Sequence, residues 1–292
     1  MPVNILVPVD GSSHSFAGLV YTFVSFPNAT VTALHVRGPG QNALPEFDSP
    51  EHDDEYLQQT GDRILEHTTE IASEYNCEVK TALKDGRPHR VILEYIAEHD
   101  IDHVVMGSHG ESPIVRPFLG HVTEAVVRRA PVSTTIIPES RPELLRREFP
   151  GRILVPVDGS EQSLAALEYA VDRFPEGRIT IFHAVASSLV DETEAIDEGL
   201  GDFIESQIRR GETILDSAVQ AIEGGDLVVE TDLGRGKPVR SIIDYAIENE
   251  FDQIIMGSHG RSLPARIILG SVAETVSRRS TVPVTLIKGQ PE

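Results

Sequence analysis

Hydrophobic positions along the chain fall into two alternating kinds of segment. Val3–Val9 is an unbroken apolar run without polar alternation, as expected of a strand buried on both faces. Ser13–Phe26 carries apolar residues at helical spacing and stops before Pro27. The pattern continues with a strand at Thr30–Val36, an acidic Pro- and Gly-rich loop at Gly38–Asp54, and a helix at Glu55–Tyr75. That helix would bury a face formed by Ile64, Leu65, Thr68, Ile71 and Ala72. A strand at Glu78–Leu83, a helix at Arg87–Glu98 entered through Pro88, a strand at Asp102–Met106, a helix at Gly120–Arg129 and a strand at Val132–Ile137 complete the series. A second series follows, with strands near 152–157, 178–185, 227–232, 252–256 and 282–287.

The second series repeats the first in its letters as well. Ile5-Leu-Val-Pro-Val-Asp-Gly-Ser12 recurs unchanged at Ile153–Ser160, and Met106-Gly-Ser-His-Gly110 recurs at Met256–Gly260. Leu119-Gly120 returns as Leu269-Gly270, and Gly86-Arg87-Pro88 as Gly236-Lys237-Pro238. The offset is 148 at the first motif and 150 at the others, the length of a domain and not of a solenoid unit. At about 100–200 residues per domain, a chain of 292 residues holds two. The expected division is a first domain at 1–138, a charged, Pro-flanked linker at 139–150 and a second domain at 151–292. Strand–helix alternation implies parallel strands with right-handed crossovers. The expected fold is therefore α/β: two tandem doubly wound, Rossmann-like domains, each with a five-stranded parallel sheet.

In such sheets ligands sit beyond the carboxyl ends of the strands, where the winding reverses. Both repeated motifs fall there. Gly107-x-x-Gly110, nine residues, then Gly120-His121 lets backbone approach a ligand and opens a helix whose N–H groups and dipole suit a phosphate. The second copy reads Gly257-x-x-Gly260, nine residues, Gly270-Ser271, and Ser271 adds a hydroxyl donor. Asp10 and Asp158 end the first strands, where a carboxylate accepts from a ribose hydroxyl; the competing role is a helix N-cap, which Ser12 or Ser160 would fill equally well. His35 and His183, within the second strands, are expected to pack in the cores. Ser108, His109 and Asp10 do not make a hydrolase triad on this reading: adjacent Ser and His on a tight turn should point apart, and there is no G-x-S-x-G elbow.

Composition narrows the partners. A formal net charge of −21 and 5% aromatics without Trp argue against nucleic acid. The acid excess is spread along the chain, and only 4 of the 25 basic residues are Lys. General solubility is one reading; adaptation of an acidic, halophilic protein to concentrated salt is the other. Cys77 is the single cysteine, which excludes an intrachain disulfide and a Cys-rich zinc site, and no metal site is expected. No apolar run reaches the roughly 18 residues of a membrane span. With no basic region ahead of the first apolar run, a cytoplasmic location is expected, with no membrane partner.

Taken together, the Pro-Val-Asp-Gly-Ser strand end, the Gly-x-Pro helix start and the Met-Gly-Ser-His-Gly loop resemble the universal stress protein family, in tandem form over nearly the whole chain. The resemblance implies strand order 3-2-1-4-5, pairing through the fifth strands and a stress-response role. It also implies a bound adenine nucleotide, ATP or a relative, with or without Mg2+. Carried over, the nucleotide contacts would be Pro156, Val157, Asp158, Ala184, Met256, Gly257, Gly260, Gly270, Ser271 and Val272 in the second half. In the first they would be Pro8, Val9, Asp10, Val36, Met106, Gly107, Gly110, Gly120, His121 and Val122, with His121 where the family has Ser or Thr. An intrachain pseudo-dimer through the last strands, and a homodimer, are the expected assemblies. Two alternatives to a binding module stay open: a weak ATPase or phosphotransfer enzyme, with His109, His259, Arg261 and Arg266 at the phosphate end, and a scaffold acting through dimerisation. The chain has no Walker lysine motif and no assigned catalytic residue.

Overall fold

A computed structural model describes residues 3–38, 54–110, 119–138, 151–185, 198–222, 229–260 and 269–288. The chain divides into two compact units, Met1–Arg146 and Arg147–Glu292. The expected linker at 139–150 lies outside the described residues.

The first unit runs β1 (Asn4–Pro8), α1 (Ser13–Ser25), β2 (Thr30–Arg37), α2 (Asp54–Glu74), β3 (Val79–Asp85), α3 (Pro88–Glu98), β4 (His103–Gly107), α4 (His121–Arg129) and β5 (Ser133–Ile137). Its strands pair in parallel in the order β3-β2-β1-β4-β5. Ile5, Leu6 and Val7 on the central strand have no exposed surface, which is why β1 reads as continuous apolar sequence. Ser12 caps α1, its Oγ accepting from the Ser15 N–H at 3.2 Å. Thr68, Ile71 and Ala72 form the buried stripe of α2, with Ile64 and Leu65 half-buried beside it.

The second unit repeats this with β6 (Arg152–Pro156), α5 (Glu161–Arg173), β7 (Arg178–Val185), α6 (Glu198–Ala221), β8 (Val229–Arg235), α7 (Pro238–Glu248), β9 (Gln253–Gly257), α8 (Ser271–Arg279) and β10 (Val284–Ile287). The parallel order is β8-β7-β6-β9-β10. Each unit is thus the doubly wound α/β fold that the alternation predicts.

Two boundaries shift for physical reasons. β3 runs on to Asp85, beyond the last apolar residue Leu83, because it pairs with β2 along its whole length. The Arg37 guanidinium closes that end by donating to both Asp85 oxygens at 2.8 Å. β10 starts only at Val284, since Pro283 has no N–H for the ladder, although its carbonyl still accepts from Ile254.

In both sheets the chain winds outward in opposite directions from the first and fourth strands. Their carboxyl ends therefore flank a crevice, and the repeated motifs meet there.

Candidate functional site: the strand-end crevice

In the second unit the crevice is built from three backbone segments. The first is the end of β6. The Val157 N–H donates to the Phe182 carbonyl at 2.8 Å, and His183 Nδ1 donates to the Val157 carbonyl at 2.7 Å, so the strand end is tied from both sides. Gly159 turns the chain at φ +75°, a conformation that favours glycine. Asp158 Oδ1 accepts from the Ser160 N–H at 3.0 Å and from Ser160 Oγ, whose oxygen in turn caps α5. The helix cap is therefore Ser160, and Asp158 braces the turn beneath it.

The second segment is the loop after β9. A Cβ on Gly257 would sit 2.9 Å from the backbone of Gln162, and one on Gly260 would sit 2.6 Å from Asp158 Oδ2. Both glycines exist because other groups occupy the space a side chain would need. The third segment is the start of α8. The Gly270 N–H donates to the Ser258 carbonyl at 2.8 Å, closing the loop onto the helix. Gly270 is the N-cap and makes no side-chain cap. The first N–H groups of α8, from Ser271 onward, thus meet the crevice with no intrahelical acceptor. Together with the helix dipole they form a seat for an anion.

These segments enclose a cavity of about 390 Å³. All the second-half residues named from the sequence line it: Pro156, Val157, Asp158, Ala184, Met256, Gly257, Gly260, Gly270, Ser271 and Val272. So do Phe182, Pro238 and Ile242, which form an apolar end, and His183 and His259. The glycine cradle and uncapped helix start fit a phosphate chain, and the apolar end fits a flat base. Arg261 and Arg266 lie outside the described residues.

Two expectations need correction. His183 is not a plain core residue: it is half-buried, lines the cavity and holds the Val157 carbonyl. Its counterpart His35 is buried and holds the Val9 carbonyl at 2.8 Å. Nor do the adjacent Ser and His point apart. Ser108 Oγ lies 3.1 Å from His109 Nδ1, and Ser258 Oγ lies 3.1 Å from His259 Nδ1. The turn brings the two side chains together, and with Ser108 and Ser258 buried the hydroxyls orient the rings. Burial holds His259 below the ordinary histidine range, helped by the nearby Lys288 ammonium, which burial pushes down in turn.

The first unit repeats the backbone machinery. Gly11 turns at φ +89°, Asp10 Oδ1 accepts from the Ser12 N–H and Oγ at 3.0 and 2.6 Å, and the Gly120 N–H donates to Ser108 at 2.8 Å. A Cβ on Gly110 would collide with Asp10 Oδ2, and one on Gly107 with His14. Pro8, Val9 and Asp10 thus stand at the end of β1, facing the loop at Gly107–Gly110 and the α4 start at Gly120, His121 and Val122. The apolar end differs. Val36 and Met106 belong to a packed cluster with Leu34 and Ile92, and Val122 packs against it. His121 is exposed at the first position of α4, as Ser271 is on α8.

Among the described residues, no group of three or more His, Cys, Asp or Glu is placed to hold a metal ion, and no helix is long and apolar enough to cross a membrane.

Two doubly wound units, each with a carboxylate at the first strand end facing a glycine loop and an uncapped helix start, define a class of α/β proteins with an anion-accepting crevice. Within that class, the chain belongs to the universal stress protein family, whose model matches residues 1–138 and again 150–288. A universal stress protein of Mycobacterium tuberculosis is 26% identical over 297 residues, spanning 98% of this chain and 97% of its own. The universal stress protein YxiE of Bacillus subtilis is 30% identical over 145 residues, 47% of this chain and 98% of its own. The crystal structure of a universal stress protein from Archaeoglobus fulgidus superposes with a TM-score of 0.69 at 24% identity, covering 99% of this chain and 98% of that one, a likeness of fold.

Proposed function

We propose that this stress protein is an adenine-nucleotide-binding regulatory module, with ATP or a close relative in the crevice of the second half. The observation that carries the reading is the cavity of about 390 Å³, which joins an apolar end to a glycine loop and a bare helix start. Its size lies within the roughly 300–1,000 Å³ typical of small-molecule sites. Phosphates sit against Gly257, Gly260 and the N–H groups at Ser271 and Val272, ribose against Asp158, and the base against Ala184 and Met256. Where Mg2+ accompanies the nucleotide, the phosphates would hold it. The first half uses Pro8, Val9, Asp10, Met106, Gly107, Gly110, Gly120 and Val122 in the same sense, with His121 and Val36 as its departures.

The working unit on this reading is a cytoplasmic pair of domains, 1–138 and 151–292, joined through 139–150. The charge of −21 suits concentrated salt. Screening shortens from about 30 Å at 0.01 M to about 3 Å at 1 M, so the melting temperature should climb with KCl; a flat response would refute the adaptation.

Gly270→Val tests the site itself. Gly270 has φ −65° and ψ 144°, a backbone open to any residue, so the fold should survive. Its Cβ would stand 3.1 Å from His259 Cα, and the branched side chain narrows the phosphate seat. Titration calorimetry should show ATP binding to the second half lost while the melting temperature holds within a few degrees. Unchanged affinity would remove the assignment.

A further inference from the structure

The two glycine loops carry the same Ser–His step but place its ring differently. In the second half Ser258 is the hub. It is buried; its N–H donates to the Ile287 carbonyl at 3.0 Å, and its own carbonyl accepts from the Gly270 N–H at 2.8 Å. Its Oγ lies 3.1 Å from His259 Nδ1. His259 is thereby set against the start of α8, where a Cβ on Gly270 would stand 3.1 Å from its Cα, and it lines the cavity. With Nδ1 on Ser258, the remaining nitrogen, Nε2, has no hydrogen-bond partner among the described residues and is not enclosed. In the first half His109 Nε2 is shut in without a partner, with the His14 ring 6.2 Å away. Gln162 takes the place of His14 in the second half.

A second cation reaches only the second loop. Lys288 follows the last residue of β10 and lies near His259, whereas the first half has the buried Pro138 there. Burial lowers both groups, and the ammonium lowers His259 further. The other charges around the ring are spoken for. Asp158 Oδ1 accepts from Ser160, with Oδ2 against Gly260, and Glu274 on α8 is held by Arg278 at 2.8 Å. From α5 the neutral Gln162 backs Gly257. The empty crevice therefore favours a neutral imidazole.

We infer that His259 is a further ligand-binding residue of the second half: its ring takes a proton from solvent as a polyphosphate enters, and Nε2 then donates to the outer phosphate. This rests on the nucleotide reading above. The phosphate charge offsets what burial and Lys288 impose on the empty site. The Ser258 hydroxyl can donate to Nδ1 or accept from it, so the ring keeps its anchor in both states. Only a proton moves, and no bond to phosphorus changes. The first half, with its imidazole nitrogen enclosed and no lysine behind it, loads without this proton.

The test uses the full chain carrying Gly120→Val to block the first half. Gly120 has φ −59°, and a Cβ there meets nothing closer than 3.4 Å, so the background should fold. In NMR the His259 ring signal is the one missing from His259→Gln, or from His259→Asn should the first variant not fold. Without nucleotide it should titrate below the ordinary 6.5, and with saturating ATP above it. Calorimetry in two buffers of different ionisation enthalpy should show His259 adding about half a proton per ATP at pH 6.5 relative to His259→Gln, a difference that removes the nucleotide's own titration. ATP affinity should fall several-fold more steeply from pH 6 to 8 with His259 than without it, at most about tenfold per pH unit. A ring titration that ATP leaves below 6.5, or the same proton count in both chains, overturns the inference. If the Gly120→Val chain binds no ATP at any pH, the nucleotide reading itself fails, a result separate from binding without proton uptake.

Discussion

The two halves agree at the strand-end turns and glycine loops and differ at the apolar end of the crevice. Asp10 and Asp158 brace their turns through the same bonds to Ser12 and Ser160, and Gly120 and Gly270 close their loops with N–H···O bonds of 2.8 Å. At the apolar end the pairs diverge: Val36 with Leu34 in one half, Ala184 with Phe182 in the other. Val36 keeps 6% of its surface and Ala184 is half-buried, so a difference of two methyl groups separates a packed position from a cavity wall. A glycine whose missing Cβ is occupied by a neighbour has no substitute. A wall residue can change volume without disturbing the strand it stands on, and ligand preference is therefore freest to drift there.

Exchanging those two residues should give the largest effect. Ala184→Val fills the second-half cavity at its mouth, and overpacking of this kind costs about 1–3 kcal/mol. ATP affinity in that half should fall roughly 10- to 100-fold in calorimetry, an energy inside the same range. Val36→Ala should strengthen binding in the first half if Val36 is what fills its base end. Ala184→Val with wild-type affinity would mean the base lies elsewhere, and the contrast between the halves would lose its functional meaning.

A smaller effect should appear in acid. His259 titrates below the ordinary histidine value of 6.5 because it is buried and lies near Lys288, and the first half has Pro138 where Lys288 stands. A base with a depressed folded-state value contributes stability that is fully present above pH 6.5. That contribution is lost as pH falls from there through the folded value, since the unfolded chain takes up the proton first. Chemical denaturation from pH 7.5 to 5 should show part of the decline disappearing in His259→Gln. An unaltered slope would assign the decline to other groups.

Most of this fold was legible because parallel strands buried on both faces leave unbroken apolar runs, and β1 and β6 do so twice in the same letters. The polar ends of β3 and β8 were not. Their last residues are placed by pairing with the neighbouring strand, and for β3 by the Arg37–Asp85 pair, 48 positions apart in sequence. The crevice backbone was readable from glycine spacing, since Gly257 and Gly260 answer to fixed clashes with Gln162 and Asp158. The apolar wall was hidden. Phe182 reads as one more core residue of β7, and only its contacts with Gly234, Tyr245 and the cavity set it apart. His183 departs from a plain core role for a related reason: periodicity places a side chain on a face but does not reveal the carbonyl it reaches, here that of Val157. The Ser–His contacts depend on the shape of a turn, which hydropathy does not encode.

The smallest predicted difference lies between two tyrosines at matching positions. Tyr245 donates its hydroxyl to Asp232 and stacks on Phe182; Tyr95 stacks on His99, with Ala82 where Asp232 would be. Removing a hydroxyl whose bond is partly open to solvent should cost about 0.5 kcal/mol, the low end of the range for a hydrogen bond. Tyr245→Phe should therefore lower stability by that amount at neutral pH, while Tyr95→Phe stays closer to the unaltered protein. Alkali should separate them further. Burial raises both phenols above the ordinary value of 10, and for Tyr245 the Asp232 bond and the negative charges of Asp232 and Glu230 raise it more. A raised phenol contributes stability below pH 10 that is lost as pH climbs toward the folded value, because the unfolded chain gives up its proton first. Denaturation curves between pH 9 and 11 should show that loss shrinking more in Tyr245→Phe than in Tyr95→Phe. Equal behaviour of the two variants would mean that the Asp232 bond does not set the halves apart, and that the stack alone holds the Phe182 wall.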